Sequence, residues 1–362
     1  MQTTKKLLPV VAACLACLNG CSDSSDDDNN GNGNGNGNGQ DPVTDFPGLE
    51  TLGTPVANTY DGNGDGLLAG LGLTGLQSAP EFYNDPAAPA TAEIRRQAIH
   101  ANYTALVDQS AASGFGTLYG PVDDTTFPGT ETLAFIGEGI NRATLMVQIP
   151  DAFNQDSPCI VAAPSSGSRG VYGAIGTGGA WGLEKGCAIA YTDANKGTGA
   201  VELTQNQGFG LQLDMLDLAT TTQEASFRVP TQENANATSD AYAGVTLPTQ
   251  ADVDSYAQAN PNRFAFKHAH SQKNTEKDWG LHTLQAVKLA FKLLNEKYDQ
   301  AFTPDNTLVI GASVSNGGSA VLRAVEHDTE SLFDGVVVGE PNINPQTAPE
   351  AFTIAMGDRA AL

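Results

Sequence analysis

Ser315 lies in the segment whose residue types most clearly predict chemistry, residues 313–318 with the sequence SVSNGG. The apolar run 307–312 before it predicts a buried strand, and a helix is expected after it. A serine on such a strand-to-helix turn projects its hydroxyl into a cleft, where it can attack an ester carbonyl. Ser313 and Gly317 supply the small neighbours that this turn requires, although the pattern is S-x-S-x-G and not G-x-S-x-G. We predict that Ser315 is a nucleophile, the alternative being an ordinary serine-glycine turn.

Acyl transfer also needs N–H groups that face the oxyanion formed during attack. The backbone N–H of Asn316 is one candidate because it directly follows the nucleophile. The loop 164–170 follows an earlier predicted strand, and there Ser166 or Gly167 could supply the second donor. In the same loop, Arg169 is placed to meet a substrate carboxylate, or it is a surface arginine without a role.

A serine nucleophile also requires an imidazole base and an acid that orients it. Glu340, which follows the strand predicted over 333–338, is the candidate acid. His327 lies about 18 Å along the helix after Ser315 and cannot reach back to it. The remaining histidines are more typical of surface or structural positions; they are His100, His268, His270 and His282. Because residues 316–362 are too few for the missing strands and loops, we expect a chain truncated relative to a working enzyme.

The elements that must position these residues alternate between apolar strands and helices, which predicts an α/β fold. We expect an α/β-hydrolase-like domain over 131–362, incomplete at its C-terminus, with a mostly parallel sheet. Residues 42–130 form an N-terminal region, and residues 195–271 interrupt the alternation as an inserted lid or excursion. The predicted strands cover 145–149, 159–163, 187–191, 307–312 and 333–338, and a long amphipathic helix covers 275–298.

Two cysteines, Cys159 and Cys187, begin two of the buried strands at matching offsets. Strands joined by one crossover can be neighbours, so a disulfide is expected in an oxidising cell envelope. Two separate buried thiols are the alternative.

Residues 61–66, with the sequence DGNGDG, match the opening of a calcium loop. Gly72 stands at the twelfth position, where a bidentate Glu is needed, so a glycine-rich turn is the favoured interpretation. The ester chemistry itself requires no metal and no organic cofactor.

The N-terminal sequence predicts a signal peptide that is followed by a flexible tether. Residues 1–20 contain two lysines, a short apolar stretch and small residues before Cys21, as in a bacterial lipoprotein signal peptide. Cys21 is then lipidated, and Ser22 after it favours the outer membrane. Residues 21–41 are acidic and rich in Asn and Gly, which predicts a flexible tether. The alternative is a cleaved secretory signal and a secreted protein.

The net charge of the chain restricts the binding partners that it can have. The chain has 18 Lys and Arg against 41 Asp and Glu, for a net charge of −23. Such a chain repels phosphate backbones and anionic membrane surfaces, which argues against nucleic acid as a partner.

Three segments together suggest a family. They are SGSRGVYGAIG at 166–176, AWGLEKGCAIAYTD at 180–193 and SVSNGG at 313–318. They closely resemble the bacterial D-(−)-3-hydroxybutyrate oligomer hydrolases, and the resemblance covers most of residues 45–350. YDG at 60–62 and DGLL at 65–68 resemble the N-terminal region of that family.

The resemblance implies hydrolysis of short 3-hydroxybutyrate esters to monomers, downstream of a polyhydroxybutyrate depolymerase, by a charge-relay serine at Ser315. Its partners would be small ester oligomers, and members of the family are roughly twice this length. The competing hypothesis is a catalytically inactive, surface-tethered binding lipoprotein with a hydrolase-like fold, since no histidine is clearly placed as the base. The sequence does not indicate an oligomeric state.

Overall fold

The computed structural model describes residues 46–78, 81–167, 169–193, 196, 199–235, 242, 244–267 and 276–343. The predicted signal peptide, Cys21 and the tether lie outside these residues, as do His268 and His270. The chain divides into two units, Met1–Gln40 and Asp41–Leu362, and the described residues all belong to the second. Within the described part, no helix is both long enough and apolar enough to cross a membrane.

A seven-stranded sheet forms the centre of this unit, in the order β1-β2-β3-β5-β4-β10-β11. Its strands are β1 (Val56–Tyr60), β2 (Gly129–Ile136), β3 (Ala143–Pro150), β4 (Cys159–Pro164), β5 (Ala188–Thr192), β10 (Leu308–Val314) and β11 (Gly335–Gly339). The helices are α1 (Leu73–Gln77), α2 (Thr91–Thr104), α3 (Ala180–Glu184), α4 (Gln250–Ala259), α5 (Trp279–Tyr298) and α6 (Ser315–His327). The fold is therefore mixed α/β, as the alternation of strands and helices predicts.

The sheet is less parallel than the sequence predicts. The pairs β5–β4, β4–β10 and β10–β11 are parallel. The pairs β1–β2, β2–β3 and β3–β5 are antiparallel. The reason is local, because only residues 137–142 join β2 to β3, and a short connection returns the chain antiparallel. β1 comes from the predicted N-terminal region, so that region contributes directly to the sheet.

Helices cover both faces of the sheet. One face packs against α5, whose apolar side is buried, and the other packs against α2 and the short helical turns of residues 171–184. Burial on both faces explains why β4 and β5 are continuous apolar runs and do not alternate. Strand β10 follows α5 along the chain and ends next to Ser315. Ser315 therefore lies at the carboxyl edge of the parallel strands.

The predicted excursion forms a small separate layer. Its four-stranded antiparallel sheet has the order β8-β7-β6-β9, and the connection to β9 contains α4. The strands are β6 (Ala200–Glu202), β7 (Gln207–Phe209), β8 (Met215–Asp217) and β9 (Phe264–Phe266). A small apolar cluster supports this layer and includes Val201, Leu216, Leu218, Ala225 and Phe227. The described residues of this region thus form regular secondary structure, although its sequence lacks the α/β alternation.

The two cysteines of the central sheet are joined. Cys159 and Cys187 form a disulfide with a Cα–Cα distance of 4.7 Å. They directly precede Ile160 and Ala188, which are register partners on β4 and β5, and this pairing places the two thiols side by side.

The 61–66 segment forms a turn that binds its own backbone. The Asp61 carboxylate accepts from the N–H of Asn63 at 2.8 Å, and Asp65 accepts from the N–H of Gly62 at 2.9 Å. Asp61 therefore closes an Asx-type turn and Asp65 bonds back across the same segment, which matches the glycine-rich turn favoured from the sequence.

Candidate active site

Ser315 is the first residue of α6 and directly follows β10. Its φ of +54° lies in the left-handed region, which is uncommon for any residue other than glycine. The side chain is exposed, and its hydroxyl has no hydrogen-bond partner among the described residues. The helix begins at the serine itself. The chain therefore turns from strand to helix at Ser315, with no loop between β10 and α6.

The residues two positions before and after Ser315 show why small side chains are needed. A Cβ on Gly317 would lie 2.2 Å from the Oγ of Ser313 and 2.7 Å from the carbonyl oxygen of Pro164. The buried Ser313 hydroxyl donates to that same carbonyl at 2.8 Å. Serine in place of glycine at position 313 is therefore accommodated, because its hydroxyl is bonded to the neighbouring strand.

The loop after β4 lies against the start of α6. The N–H of Ser165 donates to the Thr192 carbonyl at 2.8 Å, and its hydroxyl donates to the Gly167 carbonyl at 3.0 Å. A Cβ on Gly167 would lie 3.8 Å from the Asn316 side-chain oxygen. The structure therefore brings this loop close to Asn316.

The two candidate donors in the loop are not equivalent. The N–H of Ser166 donates to the carbonyl of Gly173 at 3.4 Å, whereas no such bond is found for the N–H of Gly167 in the described structure. Gly167 has a φ of +69°, which favours glycine. Asn316 is in the first turn of α6, where backbone N–H groups have no acceptor within the helix. Gly167 and Asn316 are thus the better-placed pair of donors.

Arg169, for which the sequence offers a contact with a substrate carboxylate, lies in the loop after β4. It is exposed and lines a small cavity together with Thr144 and Asp193. Those residues lie at the ends of β3 and β5, and β5 is two strands from β10, about 10 Å at the usual strand spacing.

Glu340 is a close neighbour of Ser315 through the sheet. Val314 and Gly339 are register partners on β10 and β11, and Ser315 and Glu340 are the residues that follow them. Glu340 is exposed, with a φ of +45°. The acid predicted from the sequence is therefore at the same edge as the nucleophile.

Two residues of the site were not predicted from the sequence. The hydroxyl of Ser319 donates to the Asn342 carbonyl at 2.6 Å, and the N–H of Asn342 donates to the Ser315 carbonyl at 3.4 Å. These bonds fasten the loop after β11 to the first turn of α6. Both residues line an open groove of 430 Å³ between α6 and the N-terminus of α5, which also includes Asn316 and Trp279.

None of the histidines in the described residues bonds to Ser315. His327 is exposed at the far end of α6, and a ring nitrogen of His100 contacts the Ser78 carbonyl at 2.9 Å. His282 is buried on α5, and burial lowers its pKa to about 4. Its Nδ1 has no hydrogen-bond partner within the part of the chain that the structure describes. Across the described ranges, no group of three or more His, Cys, Asp or Glu could hold a metal ion.

Comparison with known proteins identifies the family. The family model for 3HB-oligomer hydrolase matches residues 31–361. The proteins named D-(−)-3-hydroxybutyrate oligomer hydrolase include those of Polaromonas sp., which is 47% identical over 321 residues, and Albidiferax ferrireducens, which is 45% identical over 322 residues. Each of these matches covers 83% of this chain and 43% of the relative. A Burkholderia ambifaria relative with the same name is 40% identical over 99% of this chain and 50% of its own length.

The chain thus spans about half the length of the curated relatives it matches. No solved structure matches it. The family model covers most of the chain, including the β4 loop and the turn at Ser315. This chain belongs to the 3HB-oligomer hydrolase family.

Proposed function

We propose that this chain carries the nucleophile and the oxyanion site of a serine esterase that hydrolyses 3-hydroxybutyrate oligomers to monomers. The observation that carries the proposal is the left-handed Ser315, exposed between β10 and α6 and adjacent to the loop after β4. A serine at an ordinary turn needs neither the strained backbone nor the facing loop. The names of the relatives supply the substrate class.

The strand order supports an α/β-hydrolase-like arrangement. Counted along the chain from β2, the third strand is β4, and the loop after the third strand supplies an oxyanion N–H in that fold. The nucleophile in that fold sits on a turn between a strand and a helix, as Ser315 does. We extend the proposal to the excursion 195–271, which would act as a lid over this edge.

The mechanism follows from these positions. The Ser315 Oγ attacks the ester carbonyl carbon, and the proton of the hydroxyl passes to a base. The N–H groups of Asn316 and Gly167 donate to the oxyanion, and the alcohol end of the oligomer leaves with a proton. Water then attacks the acyl-serine, which releases the acid and restores the hydroxyl.

We place the base outside the described residues. His100 contacts the Ser78 carbonyl, His282 is buried, and His327 lies at the far end of α6. Glu340 is our candidate for the acid that orients it, since it neighbours Ser315 at the sheet edge. The imidazole would come from His268 or His270, which lie outside the described residues. Alternatively, it would come from a part equivalent to the half of the relatives that this chain does not match.

We also propose that Cys21 carries a lipid and holds the enzyme at the outer membrane. The support is the sequence of residues 1–22 alone, with its short apolar stretch and the small residues before Cys21. Metabolic labelling with a radioactive fatty acid tests this, and a Cys21→Ser variant that retains the label would contradict it.

The proposed activity is tested with purified full-length protein and trimers of 3-hydroxybutyrate, by measuring released monomer. Ser315→Ala should abolish release, whereas Ser157→Ala, at an exposed serine in the turn before β4, should retain most of it. Equal activity of Ser315→Ala and the unmodified protein would exclude Ser315 as the nucleophile.

A further inference from the structure

A network of buried polar side chains lies within the α2 face of the sheet. The Glu131 carboxylate accepts from Nε and Nη2 of Arg95 at 3.0 and 2.9 Å, and from Nε2 of Gln148 at 2.8 Å. It also accepts from the Tyr172 hydroxyl at 2.8 Å. Gln148 in turn accepts from the Tyr191 hydroxyl at 2.9 Å. All five side chains are buried.

The network fixes its members firmly. An ionised pair away from water requires good geometry and satisfied hydrogen bonds, and Glu131 has four donors. Burial opposes the charge on Arg95, but the Glu131 carboxylate outweighs it and raises the pKa of Arg95. Burial, together with the charge of Glu131, also raises the pKa of Tyr172 well above its usual value, so its hydroxyl stays a donor. Displacing Arg95 or Glu131 would leave a buried charge unpaired, and displacing any other member would leave a buried polar group without its hydrogen bond.

One end of the network reaches the N-terminal region. Arg95 is on α2, and its guanidinium donates to the Gly66 carbonyl at 3.2 Å. It also lies over the ring of Tyr60, 4.0 Å from the ring centroid. The segments around β1 and α2 therefore contact Glu131, the third residue of β2.

The other end reaches the candidate oxyanion loop. Tyr172 is followed by Gly173, whose carbonyl accepts from the N–H of Ser166 at 3.4 Å. A Cβ on Gly173 would lie 2.1 Å from the Ser165 hydroxyl oxygen, so the two segments are in direct contact. A shift of Tyr172 would consequently move the backbone that carries Ser166 and Gly167.

From these contacts we infer that Tyr172 is a positioning residue, and that the Arg95–Glu131 pair acts through it to hold the loop 165–167 in place. The hydroxyl of Tyr172 acts on the loop and does not touch the reacting ester. This inference rests on the proposed function for its catalytic consequence, but the positioning itself is a property of the folded chain. It gives the N-terminal region a role in the active site.

Hydrogen–deuterium exchange of the whole chain tests the positioning without reference to activity. Tyr172→Phe keeps the ring and removes the bond to Glu131, so backbone amides within residues 164–174 should exchange at least about fivefold faster, as expected for one lost buried hydrogen bond. The control is Tyr103→Phe, a buried tyrosine on the same face of the sheet that is not part of the network. The control should leave exchange in 164–174 unchanged.

A merely structural role predicts a different result. If the hydroxyl supports only global stability, exchange would rise equally in β4, β10 and the loop, and that outcome would overturn the inference. So would unchanged exchange in 164–174.

Kinetics provide the second readout. In full-length protein whose ester hydrolysis depends on Ser315, Tyr172→Phe should lower kcat about tenfold and change KM less than twofold, because the oxyanion is bound only during reaction. An equal loss of kcat in Tyr172→Phe and in the control Tyr103→Phe would contradict positioning by the network. If Ser315→Ala does not affect hydrolysis, the proposed function fails, while the exchange experiment still decides whether Tyr172 holds the loop.

Discussion

The hydroxyl of Ser313 donates a 2.8 Å hydrogen bond to the carbonyl of Pro164. Ser313 is two residues before the proposed nucleophile, and Pro164 ends the strand that leads into the proposed oxyanion loop. This bond therefore joins the two halves of the site across adjacent parallel strands. Gly317 packs against the same carbonyl, so the turn and the loop have little freedom to separate.

Gly317→Ala should disturb this junction. Its Cβ would lie within 2.7 Å of Ser313, Ser165 and Pro164 atoms, two of which are backbone oxygens that cannot rotate away. We expect a loss of about 1–3 kcal/mol in the free energy of unfolding from overpacking. Displacement of the loop should also lower kcat roughly 100-fold.

Urea unfolding and oligomer hydrolysis measure the two effects. The matched control is Gly335→Ala, since a Cβ at Gly335 in β11 meets nothing within 4 Å. A Gly317→Ala protein with unchanged kcat would show that the contact is not part of the site.

The left-handed backbone of Ser315 predicts an unusual order of stability. A non-glycine residue in this region costs roughly 1 kcal/mol, and glycine avoids that cost. Ser315→Gly should therefore be about 1 kcal/mol more stable than Ser315→Ala, although both should be inactive. Thermal unfolding of the two variants side by side checks this, and an equally or more stable Ala variant would argue against the strained turn.

The disulfide between Cys159 and Cys187 should contribute to stability through the loop it closes. The cysteines are 28 residues apart, and cross-linking a loop of this length stabilises the folded state by about 3–4 kcal/mol in the chain-entropy model. Urea unfolding with and without reductant should show this difference. The doubly substituted Cys159→Ala, Cys187→Ala protein should unfold like the reduced protein and be insensitive to reductant, and a reductant effect in that variant would contradict the assignment.

His282 should make the protein sensitive to acid. Burial lowers its pKa to about 4 in the folded state, against about 6.5 when unfolded. The unfolded state therefore binds one more proton than the folded state between these values, and stability falls as the pH drops from about 6.5 towards 4. The slope contributed is about 1.4 kcal/mol per pH unit.

Replacing His282 with Gln should remove that slope from the free energy of unfolding. Above pH 7 the pH dependence should be the same in both proteins. Urea unfolding of both proteins between pH 4 and 8 makes the comparison. Parallel curves for the two proteins would mean that His282 is protonated in the folded state as readily as in the unfolded state.

Much of the site could be predicted from local sequence, because the chemistry depends on short segments. The strand before Ser315, the helix after it and the small residues around it all lie within a dozen positions. The loop after β4 could be predicted for the same reason. The family resemblance, confirmed by the matching relatives, rests on these same segments.

What could not be predicted depends on contacts between distant residues. The position of β1 at the edge of the sheet depends on its pairing with β2, in which Val56 is the partner of Leu133. The buried pair of Arg95 and Glu131 has no local signature, since each is an ordinary charged residue in its own segment. The difference between Ser166 and Gly167 as donors depends on Gly173, which only the folded loop brings near.

The central claim is that Ser315 is an activated nucleophile, and covalent labelling tests it most directly. Full-length protein is treated with a fluorophosphonate, digested, and the adduct located by mass spectrometry, with Ser315→Ala as the matched control. We expect one adduct, on the peptide that contains Ser315, and none in the control. Oligomer hydrolysis that proceeds without an adduct at Ser315, or an adduct on another serine that persists in Ser315→Ala, would contradict the claim.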